Sequence, residues 1–117
     1  MSKANVTVTT RKLAPSVFAL DIKGEINAFA ENALMDAYTH ATSSGARDLI
    51  LNFEALDYMN SSGIGLLVTL LIRCNRQKQR LLAYGLTDHY QQIFELTRLN
   101  EAITIYPSEA AALAAKN

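Results

Sequence analysis

Cysteine is almost missing from this 117-residue chain: Cys74 stands alone, so no internal disulfide can form. No histidine or carboxylate lies beside it at a metal-ligand spacing. Cys74 reads as a small apolar residue of a core, in a protein kept under reducing conditions. Net charge is missing too, because eleven Lys and Arg balance eleven Asp and Glu. A neutral chain has no overall field to draw it to phosphate backbones or anionic lipid, so nucleic acid and membrane surfaces drop out as partners. Long apolar runs are equally absent. The longest, Ile64 to Ile72, is broken by Gly65 and Thr69 and falls short of a bilayer span. Met1 to Thr10 alternates polar and apolar residues, without the apolar centre of a signal peptide. A cytosolic location is expected.

Familiar catalytic signatures do not occur either. A phosphate-binding P-loop needs Lys after its second glycine, and Gly63-Ile64-Gly65 runs on into leucines. A nucleophile elbow needs glycine two residues before its serine, where this chain has Met59 ahead of Ser61. His40 and His89 lie on expected helices with no serine or carboxylate set around them, and read as solvated or packed side chains. No catalytic constellation and no cofactor are expected.

What is present suits a folded domain. Half the residues are hydrophobic and 19% are charged, enough apolar surface for one core, while 117 residues are too few for two. A single domain spanning residues 1–117 is expected.

The periodicity changes along the chain. Val6 and Val8 alternate with threonines, Pro15 interrupts, and Val17 to Ile22 is again strand-like, which predicts a β-hairpin ended by Gly24. Ala30, Ala33, Leu34, Ala37, Tyr38 and Ala41 then recur at helical spacing, with Asn27 as N-cap and Ser44-Gly45 as the stop. Leu49-Ile50-Leu51 is short and wholly apolar, the mark of a strand buried on both faces. After a connector, Glu54 to Asn60, a second helix is expected from Ser61 to about Lys78, with Ile64, Leu67, Val68 and Leu71 toward the core. Leu66, Thr69, Leu70 and Arg73 would form its outer face. Leu81 to Tyr84 reads as another buried strand. Asp88 and Gln91 have the spacing of a capping box ahead of a third helix, and a strand at Ile103 to Tyr106 precedes an alanine-rich terminal helix. The order ββαβαβαβα predicts an α/β fold with a mixed, mainly parallel five-stranded sheet and helices packed against it.

The most informative stretch lies between a buried strand and an apolar helix: Asp57-Tyr58-Met59-Asn60-Ser61-Ser62-Gly63-Ile64-Gly65. Asn60 or Ser61 can cap the helix, and the small residues leave its first turn open. An added anion there meets the positive end of the helix dipole.

With the upstream Leu49-Ile50-Leu51-Asn52-Phe53 strand and the Gly24-Glu25-Ile26-Asn27 turn, this stretch resembles the STAS domain of bacterial anti-sigma factor antagonists. The likeness in element order covers nearly the whole chain. It implies a non-enzymatic switch protein, a monomer or weak dimer. The family's partners are an anti-sigma factor that is also a serine kinase, and a PP2C-type phosphatase that reverses the modification. The dephosphorylated antagonist binds the kinase and frees the sigma factor. By position the phosphoacceptor is Ser61, and the implied partner surface takes in Asn27, Asn60, Ser61, Ser62, Gly63, Leu66, Thr69, Leu70 and Arg73. The family commonly has Asp where this chain has Asn27 and Asn60. Asn caps as well as Asp, but it cannot supply a carboxylate to hold magnesium or orient the serine toward ATP. The other reading of the same fold is a non-phosphorylated scaffold subunit of a signalling assembly, or the STAS component of a lipid-transport complex.

Overall fold

The computed structural model describes residues 5–115; Met1–Ala4 of the polar amino-terminal stretch lie outside them. β1 (Val6–Ala14) and β2 (Val17–Ile26) form an antiparallel hairpin turning at Pro15 and Ser16, with Val8 opposite Ile22 and Thr10 opposite Leu20. A 3-10 turn, Ala28–Ala30, leads into α1 (Glu31–Ser43). There follow β3 (Asp48–Met59), α2 (Ser61–Arg76), β4 (Arg80–Tyr84), α3 (Asp88–Leu96), a 3-10 turn (Leu99–Glu101), β5 (Thr104–Tyr106) and α4 (Glu109–Ala114). The expected order ββαβαβαβα is the observed one.

The five strands lie in the order β1-β2-β3-β4-β5, antiparallel between β1 and β2 and parallel in the other three pairs. Each parallel strand joins the same edge in chain order, and right-handed crossovers then carry the connecting helices over one face. On that face Leu20, Ile22, Leu49, Leu51 and Phe53 meet Leu34, Tyr38, Leu67, Leu70 and Phe94. α4 lies on the opposite face, where Ala112 clusters with Ile50, Leu82 and Tyr84. This explains the unbroken Leu49-Ile50-Leu51 run: the two leucines belong to the first cluster and the isoleucine to the second.

With only six residues, α4 has little apolar area with which to hold itself. Polar contacts add to it. Arg11 on β1 pairs with both Asp21 on β2 and Glu109 at the start of α4. Tyr84 donates to Glu109 at 2.8 Å, and the Asn52 amide donates to Asp21 at 2.8 Å. The guanidinium holds the Asp21 and Glu109 carboxyls below the usual carboxylate range, chiefly through these hydrogen bonds.

Three local expectations are corrected. β2 does not stop at Gly24 but runs on to Ile26, with Gly24 opposite both Val6 and Leu56. The stretch Glu54 to Asn60 is not a connector: β3 continues to Met59, paired with β2 alone after β4 has ended. Its polar residues occur where one face of the sheet has no helix to bury it. The capping box at Asp88 does not form. Thr87 precedes the helix without a side-chain cap, and the Gln91 amide reaches back to the carbonyl of Leu86 at 3.1 Å.

Candidate functional site

The site lies where β2 and β3 end side by side. Their register pairs Ile26 with Met59, so the next residue of each strand, Asn27 and Asn60, leaves the sheet at the same level. Both side chains turn the chain into a helix in the same way. The Asn27 Oδ1 accepts from the N–H of Phe29 at 2.9 Å, and the Asn60 Oδ1 accepts from the N–H of Gly63 at 3.0 Å. The Asn60 N–H donates to the carbonyl of Ile26 at 3.3 Å, which ties the start of α2 to the end of β2.

Asn60 therefore takes the capping position that the sequence left open between it and Ser61. Ser61 becomes the first residue of α2, exposed, with Ser62 exposed beside it. Among the described residues nothing hydrogen-bonds the Ser61 hydroxyl. The first turn of α2 carries no acidic side chain, and its basic residues, Arg73 and Arg76, are at the far end. Negative charge added at Ser61 would thus meet the favourable end of the helix dipole with no carboxylate on that turn to oppose it.

Gly63 sets how α2 sits. A β-carbon there would stand 2.1 Å from the carbonyl oxygen of Ile26, so only glycine lets the first turn approach β2 this closely. With Gly63 turned inward, the residues four, seven and eleven further on follow it: Leu67, Leu70 and Cys74 are buried. Burial pushes the Cys74 thiol up to about 12, which leaves it a core residue and not a nucleophile.

This phase overturns part of the expected outer face. Leu70 is fully buried and Gly63 is buried, so neither presents a surface to a partner. Leu66 is half-buried against the core, and Thr69 is half-buried with its hydroxyl donating to the carbonyl of Gly65 at 3.1 Å. Arg73 is exposed, as expected. Val68, assigned to the core, is instead 38% exposed, and Ile72 is 46% exposed. The outward stripe of α2 is thus Ser61, Gly65, Val68 and Ile72, at offsets of four, seven and eleven residues. Phe29, 53% exposed on the 3-10 turn that packs against α2, lies just after Asn27. Sequence reasoning missed Phe29, Val68 and Ile72. Counting helical offsets from a glycine required to touch a strand would have found the last two.

No second centre competes with this one. His40 and His89 are both exposed, and His89 packs edge-on against Tyr90 with ring centroids 4.9 Å apart. Among the described residues no three His, Cys, Asp or Glu side chains group as metal ligands, and no helix is long and apolar enough to cross a membrane.

Comparison with known proteins points the same way. The family model of the STAS domain matches residues 9–112. The chain is 28% identical over 101 residues to an anti-sigma-B factor antagonist of Staphylococcus aureus, covering 86% of this chain and 91% of that relative. Its fold is similar to that of an anti-sigma factor antagonist from Mycobacterium paratuberculosis, with a TM-score of 0.77 at 18% identity over 96% of both chains. It is also similar to the Bacillus cell fate determinant SpoIIAA in its phosphorylated form, with a TM-score of 0.71 at 18% identity over 92% of this chain and 96% of the other.

Proposed function

The chain belongs to the STAS domain family, and from that premise we propose that it is an anti-sigma factor antagonist switched by phosphorylation of Ser61. It is a regulatory domain and not an enzyme. In its dephosphorylated form it binds an anti-sigma factor that is also a serine kinase, and so releases a sigma factor. A PP2C-type phosphatase restores it. The observation that carries the reading is the state of Ser61: exposed, at the first position of α2, its hydroxyl free because Asn60 does the capping.

The consequence of phosphorylation follows from that placement. A phosphoserine adds a charge of about −1.5 to −2. At a helix start without acidic side chains the charge is tolerated, so the fold survives. The surface does not stay the same. Gly65, Val68 and Ile72 form a mainly apolar stripe in line with Ser61, and a partner seated on it would have to desolvate a dianion at one end. Dissociation is the expected readout.

The test is phosphoryl transfer from labelled ATP by the cognate anti-sigma factor kinase, followed by peptide mapping. Label in the peptide containing Ser61, lost in Ser61→Ala, is the expected result. Label on Ser62 alone would move the acceptor, and no label with partner binding intact would favour the non-phosphorylated scaffold.

A further inference from the structure

β3 outlasts its neighbour on one side. Its pairing with β4 ends at Asn52 opposite Tyr84, while its pairing with β2 runs on to Met59 opposite Ile26. Backbone N–H groups of a strand point alternately to the two sides. The Asn60 N–H donates toward β2, to Ile26, so the N–H of Met59 points to the side that β4 no longer occupies. Met59 is buried, and an unpaired amide there would be costly. The Tyr90 hydroxyl, from α3, accepts this N–H at 2.9 Å. Tyr90 is itself buried, so no water need replace it. Two bonds on opposite sides therefore hold consecutive residues: Met59 to α3, and Asn60 to β2. Ser61 comes next.

We infer that Tyr90 is a positioning residue for the switch serine: its hydroxyl holds the last residue of β3 so that Asn60 stays in its capping geometry and presents Ser61. This rests on the proposed role of Ser61 as phosphoacceptor. The packing of α3 as such is a separate matter, carried by Phe94, whose ring meets Phe53 edge-on with centroids 6.2 Å apart. Tyr90→Phe removes the acceptor and keeps the ring, while Phe94→Leu loosens α3 and keeps the acceptor.

The experiment compares both variants with the wild type in two readouts. The first is amide hydrogen exchange of Met59 and of Gly63, the latter protected by the Asn60 cap. The second is steady-state phosphorylation by the cognate kinase with labelled ATP. Tyr90→Phe should speed exchange at both amides at least tenfold and lower kcat at least threefold, with KM within twofold because the α2 stripe is intact. Phe94→Leu should leave the Gly63 amide and kcat within twofold of wild type. A folded Tyr90→Phe protein that matches the wild type in both readouts overturns the inference, as does a Phe94→Leu protein that changes both equally. If Tyr90→Phe fails to fold, the wild-type Met59 amide decides: exchange as fast as an exposed loop amide overturns the role. A wild type that is never labelled sinks the phosphoacceptor reading alone, since the exchange comparison still tests the placement.

Discussion

Gly63 and Ile26 touch backbone to backbone: the space for a side chain on Gly63 is already taken by the Ile26 carbonyl oxygen, 2.1 Å from where a β-carbon would be. Gly65, two residues along the same helix, has open space around it. The two glycines of one motif therefore make opposite predictions. Gly63→Ala should destabilise by about 3 kcal/mol, at the upper end of overpacking, because neither backbone can yield without moving a strand end or a helix start. Gly65→Ala should stabilise by about 0.5 to 1 kcal/mol through helix propensity. Urea unfolding of both variants checks this, and equal losses would show that Gly65 also faces something solid.

The phase of α2 predicts a second contrast. Leu70→Ala removes a fully buried side chain and should cost about 2 to 5 kcal/mol. Val68→Ala, on the exposed stripe, should cost less than about 1 kcal/mol and weaken partner binding instead. Unfolding and binding measured on the same preparations separate the two roles. If Val68→Ala lost stability like Leu70→Ala, the stripe would be part of the core.

Asn60 offers a test of charge at constant geometry. Its Oδ1 makes the cap, and an aspartate oxygen can do the same, so Asn60→Asp should keep stability within about 0.5 kcal/mol. The carboxylate that it restores beside Ser61 should raise the rate of phosphorylation by the cognate kinase. An unchanged rate would mean that the kinase supplies everything that orients the hydroxyl. Asn60→Ala, by contrast, should lose about 1 kcal/mol with the cap.

The Arg11 clamp makes stability depend on pH in a definite direction. Hydrogen bonds from Arg11 depress the Asp21 and Glu109 carboxyls in the folded protein. A depressed group contributes its stability above the unfolded carboxyl value, near about 4, and loses it as the pH falls through the folded value. Wild type should therefore lose more stability than Arg11→Met between about pH 5 and pH 2, with the variant the less stable of the two at pH 7. Unfolding midpoints in urea across that range provide the check, and parallel pH profiles would show that Arg11 contributes nothing specific.

Element order was legible in the sequence because each element carries its own periodicity. Leu49-Ile50-Leu51 is apolar at every position since the sheet is covered on both faces there, and Asn27 and Asn60 announce helix starts by their own chemistry. The neutral composition and the absence of catalytic spacings were equally local properties. So was the candidate switch serine, which sits in a motif of consecutive residues. The face of α2 was not legible. From Ile64 to Ile72 nearly every residue is apolar, so a hydrophobic pattern has no preferred direction, and it was the contact between Gly63 and Ile26 that turned Leu70 inward and Val68 outward. The length of β3 was hidden for a similar reason. Glu54 to Met59 is polar enough to read as a loop, and only the neighbouring β2 shows that it is a strand. The bond from Met59 to Tyr90 joins residues 31 apart in the chain, and no local signal could have announced it. Sequence alone determined which elements form and which residues cap them; packing between elements decided which side chains they show.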